Sequence, residues 1–193
     1  MTAADALRAA GHPIGDVYLS RAELAARVAE LASALATTHA GRDPVLVAPL
    51  KASTLFLADL SRGLGCDHSL DFVELAPYVG GRSHGGVRLL KDLDQSITGR
   101  HVVIVADVVD TGMTLSYLAR TFSGRHPASL SAVTLLDRPY RRLVEDVPVA
   151  HTGFVVPDEL YAGYGLGLDG RWRALPDLHV VLADQLPAAL SAA

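Results

Sequence analysis

One cysteine, Cys66, stands among 193 residues. That excludes an internal disulfide framework and any cysteine-based zinc site, and leaves Cys66 as a small core or loop residue. Half the residues are hydrophobic, yet no run approaches the roughly 20 consecutive apolar residues of a membrane-spanning helix. The opening "MTAADALRAAGHPIGD" has neither the basic start nor the apolar middle of a secretory signal, which predicts a cytoplasmic protein. There is no basic excess: 17 Lys and Arg face 21 Asp and Glu, for a net charge of -4. This speaks against a general nucleic-acid binder and for a small, locally charged ligand. Repeats and linkers are missing too, so residues 1–193 read as a single α/β domain, with room for a small flap.

What is present alternates between strand-like and helix-like stretches. Ser20 and Glu23 stand at capping-box spacing, Leu24, Val28, Leu31 and Leu35 recur at helical intervals, and Gly41 marks a stop. "PVLVAPL" reads as a short buried strand, "STLFLADLSRGLG" as a helix from Ser53, and "SLDFVELAPYV" as a strand. "GGRSHGGVR" holds four glycines, a composition common in mobile binding loops. "HVVIVADVV" is the most hydrophobic strand, "MTLSYLARTF" a helix, and "SLSAVTLLDRP" a strand halted by Pro139. Two short strands around a glycine-rich connection are expected in residues 151–184, and a short helix or frayed tail after them. The alternation predicts a central, mostly parallel sheet with helices on both faces.

In such a sheet ligands bind beyond the carboxyl ends of the strands. "VVIVADVVDTGMT" ends its strand there and enters a helix. Backbone N–H groups of residues 110–114 converge on one concavity, Gly112 permits close approach, and the helix dipole adds positive potential. Thr111 and Thr114 add hydroxyl donors, which suits a phosphate monoester. Asp107 and Asp110 would repel that phosphate, so they are expected to face sugar hydroxyls, a metal-bound water or a base proton. A ribose 5-phosphate meets all of these demands. The competing interpretation is an ordinary strand-to-helix turn capped by Asp and Thr.

With those flanks, the stretch resembles the binding motif of the type I phosphoribosyltransferases: four apolar residues, two acidic, two apolar, then D-[ST]-G-x-T. Only Ala106, at the first acidic place, departs from it. The resemblance runs from about residue 17 to about 183 and is nearest to the hypoxanthine-guanine branch. It covers "VLVAPLKASTLFLADLSRGL", "LAPYVGGRSHGGVRLLKDLDQSITGRHVVIV", "VTLLDRPYRRLVEDVPVAHTGFVVPDELYAGYGLG" and "RWRALPDLHVV". It implies the type I fold, with a small hood from the N-terminal segment and about residues 150–193. It also implies displacement of pyrophosphate from ribose C1 by a nitrogen heterocycle, with magnesium as cofactor and assembly as a homodimer or homotetramer. By the same resemblance Lys51 and Arg173 serve the leaving group, Arg82 being a weaker candidate. Asp110 takes the base proton, and Asp107 holds a ribose hydroxyl and contributes to the metal. Thr111, Gly112 and Thr114 surround the phosphate, and Val109 and Met113 are further substrate-binding residues. Tyr78 belongs to the closing loop, Arg138 reads the exocyclic oxygen, and Leu160 or Tyr161 contacts the base.

Four ligand positions depart from the family pattern. Ala106 replaces a carboxylate of the sugar clamp, and Gly167 replaces a metal-binding aspartate, with Asp169 two residues on as a substitute. Leu160 replaces an aromatic ring, and Arg138 a lysine whose geometry differs. Three functions compete. The first is a phosphoribosyltransferase for 6-oxopurines, the second one for a non-purine acceptor, and the third a non-catalytic sensor of phosphoribosyl pyrophosphate or nucleotides. Retained Asp110 and Lys51 favour the enzymes.

Overall fold

The computed structural model describes residues 1–78 and 86–186. Arg82 and most of the glycine-rich stretch lie outside the described residues, as do the side chain of Tyr78 and the end of the C-terminal tail. Thr2 and Asp5 form a capping box at the start of α1 (Ala3–Ala9), a short helix that the sequence reading did not foresee. After β1 (Ile14–Leu19) comes α2 (Arg21–His39), capped as its spacing predicts. Ser20 Oγ accepts from the Glu23 N–H, and Glu23 Oε2 accepts from the Ser20 N–H at 2.8 Å. Each bond satisfies a donor that the helix start leaves without an intrahelical partner.

β2 (Val45–Pro49) leads into α3 (Thr54–Leu64), which Gly65 ends in the left-handed conformation. β3 (Ser69–Tyr78) and β4 (Gly86–Lys91) form the antiparallel pair ahead of the motif. β4 begins inside the stretch whose glycines predicted a loop. The motif strand is β5 (His101–Val109), followed by α4 (Met113–Ser123), β6 (Ser129–Asp137) and β7 (Val149–Val155). β8 (Tyr161–Ala162) and β9 (Leu178–Val181) complete the chain's strands among the described residues.

The main sheet has the order β4-β3-β2-β5-β6-β7, parallel throughout except between β3 and β4. This is the expected α/β class. Side chains alternate across β5. Val103 and Val105 pack with Leu31, Leu35, Phe56 and Leu60 of α2 and α3. Val102, Ile104 and Ala106 pack with Leu115, Leu118 and Phe122 of α4. Both faces are therefore covered, which is why the strand is hydrophobic at nearly every position. β1, β9 and β8 form a second, antiparallel sheet around Ala4, Ile14, Ala162, Leu175 and Val181. Among the described residues no helix is long and apolar enough to cross a membrane.

Candidate active site

β2 continues through α3 to β3 on one side, whereas β5 continues through α4 to β6 on the other. The connections diverge between β2 and β5, so a crevice opens beyond their carboxyl ends. A cavity of about 360 Å³ lies there, lined by Pro49, Ala106, Asp107, Val109 and residues 110–112, with Thr114, Leu115 and Leu118 at its α4 wall. The structure thus gathers Asp107, Val109, Asp110, Thr111, Gly112 and Thr114 around one space. Met113 lies in the same turn, its N–H 3.4 Å from Thr111 Oγ1.

The turn's shape follows from packing. Gly112 is the N-cap of α4 at φ 82°, and a Cβ there would lie 3.0 Å from Arg142 Cδ and 3.0 Å from the Val144 carbonyl oxygen. The Leu143 and Val144 N–H groups both donate to the Thr111 carbonyl, pinning the turn from behind. Gly112 offers no capping side chain and Thr111 engages only the Met113 N–H, at 3.4 Å, so the N–H groups that follow remain available to an anion.

On the β2 side the peptide bond between Leu50 and Lys51 is cis, and Lys51 is exposed two residues past the end of β2. Ser53, fully buried, starts α3 without capping it. Its hydroxyl is used across the crevice instead. It donates to Asp107 Oδ1 at 2.9 Å and accepts from the Asp107 N–H at 3.1 Å. Burial pushes the Asp107 carboxyl above the ordinary aspartate value. Hydrogen bonds from Ser53 and the backbone oppose this, as does the nearby charge of Arg173. Arg173 Nη1 donates to the Gly165 carbonyl at 2.7 Å, while its buried Nε has no partner among the described residues. Gly165 itself lies against the Lys51 loop: a Cβ there would sit 2.2 Å from the Ala52 carbonyl oxygen.

Asp110 stands among three arginines. Arg141 Nε lies 2.9 Å from Oδ1, Arg138 Nη1 lies 3.9 Å from Oδ2, and Arg142 donates to the Asp110 carbonyl at 2.8 Å. The Arg141 contact lacks hydrogen-bond alignment, so the buried Oδ1 keeps acceptor capacity. Asp158 holds the other end of Arg141 at 2.7 Å. The sequence reading missed Arg141 and Asp158. The arginine-rich "RPYRR" was the available signal, but the 3-10 turn Pro139–Arg141 that folds it back was not.

The base-side candidates are placed differently. Arg138 is buried, donates to the Glu159 carbonyl and lies 5.6 Å from the centre of the Tyr161 ring. Tyr161 is buried as well, and its ring meets Tyr18 at 5.0 Å. Burial holds its phenol above the usual range, so it stays neutral. Leu160 packs toward the small sheet's core. Neither Leu160, Tyr161 nor Arg138 lines the motif cavity.

A magnesium ion held at residues 167–169 does not fit the residues present. Asp169 is exposed, and a Cβ on Gly167 would lie 1.9 Å from the Arg171 carbonyl oxygen, leaving no room for an aspartate on this backbone. Among the described residues no three His, Cys, Asp or Glu side chains are grouped to hold a metal. Asp107 is the one carboxylate offered by the motif strand, with one oxygen already engaged by Ser53.

Comparisons with known proteins bear on the family and the fold. Residues 16–158 match the model of the phosphoribosyl transferase domain. The hypoxanthine phosphoribosyltransferase of Escherichia coli strain K12 is 42% identical over 174 residues, spanning 88% of this chain and 97% of that protein. The hypoxanthine-guanine phosphoribosyltransferase of Mycobacterium avium is 41% identical over 169 residues, 84% of this chain and 83% of that one. The crystal structure of a hypoxanthine-guanine phosphoribosyltransferase from Bacillus anthracis superposes with a TM-score of 0.82 at 38% identity. That match covers 88% of this chain and 98% of the other.

Proposed function

Since the chain belongs to the phosphoribosyl transferase family, we propose that it transfers the 5-phosphoribosyl group of phosphoribosyl pyrophosphate to a 6-oxopurine, hypoxanthine or guanine. The C1–O bond to pyrophosphate breaks, a C1–N bond to the base forms, and a ring N–H proton passes to Asp110. The observation that carries this reading is the bridge from Ser53 to Asp107. It joins the Lys51 loop, on the leaving-group side, to the strand whose turn receives the phosphate.

The roles divide by chemistry. The free N–H groups at the start of α4, with Thr111 and Thr114, bind the 5-phosphate. Asp107 orients the sugar. Lys51 and Arg173 place positive charge where the departing pyrophosphate gains negative charge, and differential stabilisation of that kind accelerates the step. Asp110 Oδ1, with acceptor capacity left, takes the base proton. A magnesium ion, if it takes part, would arrive with the pyrophosphate and neutralise its charge, Asp107 being the carboxylate on the motif strand that could face it. The three-stranded sheet acts as the hood over the base, and assembly as a homodimer or homotetramer belongs to the same proposal.

A second reading replaces the purine by a non-purine nitrogen heterocycle. It is favoured by the covered ring of Tyr161 and by Leu160 packing away from the motif cavity. Pyrophosphate release with labelled phosphoribosyl pyrophosphate and a panel of acceptors tests both. Turnover of hypoxanthine or guanine is expected; no turnover of either at millimolar concentration, with magnesium present, would leave only the second reading.

A further inference from the structure

We infer that the sugar bound at the end of β5 is held through only one of its two adjacent ring hydroxyls, so that the site accepts deoxyribosyl phosphates lacking the other. The inference rests on the phosphoribosyl reading above and concerns which sugars that site takes. Successive side chains of a strand point to opposite faces. With the phosphate in the turn of residues 110–114, the sugar lies back over the strand end, above positions 106 and 107. On the α3 face Asp107 presents a carboxylate that accepts from Ser53 through Oδ1, and a carboxylate has lone pairs enough to accept from a sugar hydroxyl as well. On the α4 face the chain has Ala106, and the cavity beside it is walled by Pro49, Ile104, Leu115 and Leu118. A methyl group accepts no hydrogen bond, and these four neighbours carry no polar side-chain atom. The polar side chains lining the cavity belong to the phosphate turn and to Asp107. A hydroxyl above Ala106 therefore gives up hydration for no protein partner, and losing it removes no contact.

The ligand class is thus nucleoside monophosphates modified at one ring hydroxyl, and the test is calorimetric. Inosine 5′-monophosphate, the product of the proposed reaction with hypoxanthine, is titrated into the whole chain beside its 2′-deoxy and 3′-deoxy analogues. One analogue should bind within about threefold of the parent. The other should bind roughly 10- to 150-fold more weakly, as expected for losing a hydrogen bond to a charged group. Two analogues both weakened tenfold or more would overturn the inference, and so would two analogues both within threefold. Ala106→Glu should add at least tenfold discrimination against the analogue that the wild type tolerates. Asp107→Asn, which keeps the shape of the site, should reduce the discrimination shown against the other. No binding of the parent nucleotide at millimolar concentration would instead remove the phosphoribosyl reading and the inference with it.

Discussion

Replacing Ser53 by Ala removes both hydrogen bonds that tie the start of α3 to the end of β5. A bond to a charged group contributes roughly 1.5–3 kcal/mol, and a buried donor left unpaired costs about 1–3 kcal/mol. Asp107 is partly exposed, so water recovers some of this, and we expect a net loss of about 2 kcal/mol. For a domain of this size that is a fall in Tm of about 4–8 °C. The pH dependence follows from Asp107. Burial raises its folded value above the ordinary 3.8, while the Ser53 hydroxyl pulls it down. Between 3.8 and the raised value the native state binds more protons than the unfolded state, so this group's contribution to stability falls as pH rises. Without Ser53 the native value rises further and that window widens. Ser53→Ala should therefore cost more at pH 8 than at pH 5. Thermal unfolding of wild type and variant at both values checks this. A Tm change below about 1 °C, or one equal at the two pH values, would refute the assigned role of Ser53.

Asp110→Asn should lower turnover by roughly 10²–10⁴, with much less effect on phosphoribosyl pyrophosphate binding; unchanged steady-state turnover would remove Asp110 as the proton acceptor. Gly112→Ala forces a side chain into φ 82° and against Arg142 and Val144, so denaturant unfolding should show a loss of about 1–3 kcal/mol. Gly167→Asp should also destabilise and should not create a metal site, since its Cβ meets the Arg171 carbonyl; a tight new Mn²⁺ site seen by electron paramagnetic resonance would contradict the loop geometry. The His39 imidazole is held below its usual 6.5 by burial first, then by His101, Arg42 and His151. The unfolded chain therefore binds more protons just below pH 6.5, so stability should fall as pH drops through that region, and His39→Leu should flatten the slope.

The amino-acid sequence determined what depends on near neighbours along the chain. The capping box of α2, the alternation that buries β5 on both faces, and the strand-turn-helix around Gly112 are written within a few residues each. Their hydrogen bonds and φ angles are local, so spacing alone carries them. The family resemblance rests on the same local runs, and it extended to the fold class and the reaction. Tertiary structure alone decided the rest. Ser53 looks like an ordinary helix cap until the order β2-β5 brings it against Asp107, 54 positions away. Arg141 reaches Asp110 because a 3-10 turn after β6 reverses the chain. Periodic patterns in the sequence do not say that Tyr161 lies under Arg138 and beside Tyr18, or that Leu160 turns to the small sheet. They equally do not say that residue 167 faces a carbonyl too close for any side chain. Such contacts depend on which strands become neighbours and on how their end loops pack. A sequence pattern carries the face of each residue, whereas only the assembled sheet sets its distance from residues remote in the chain.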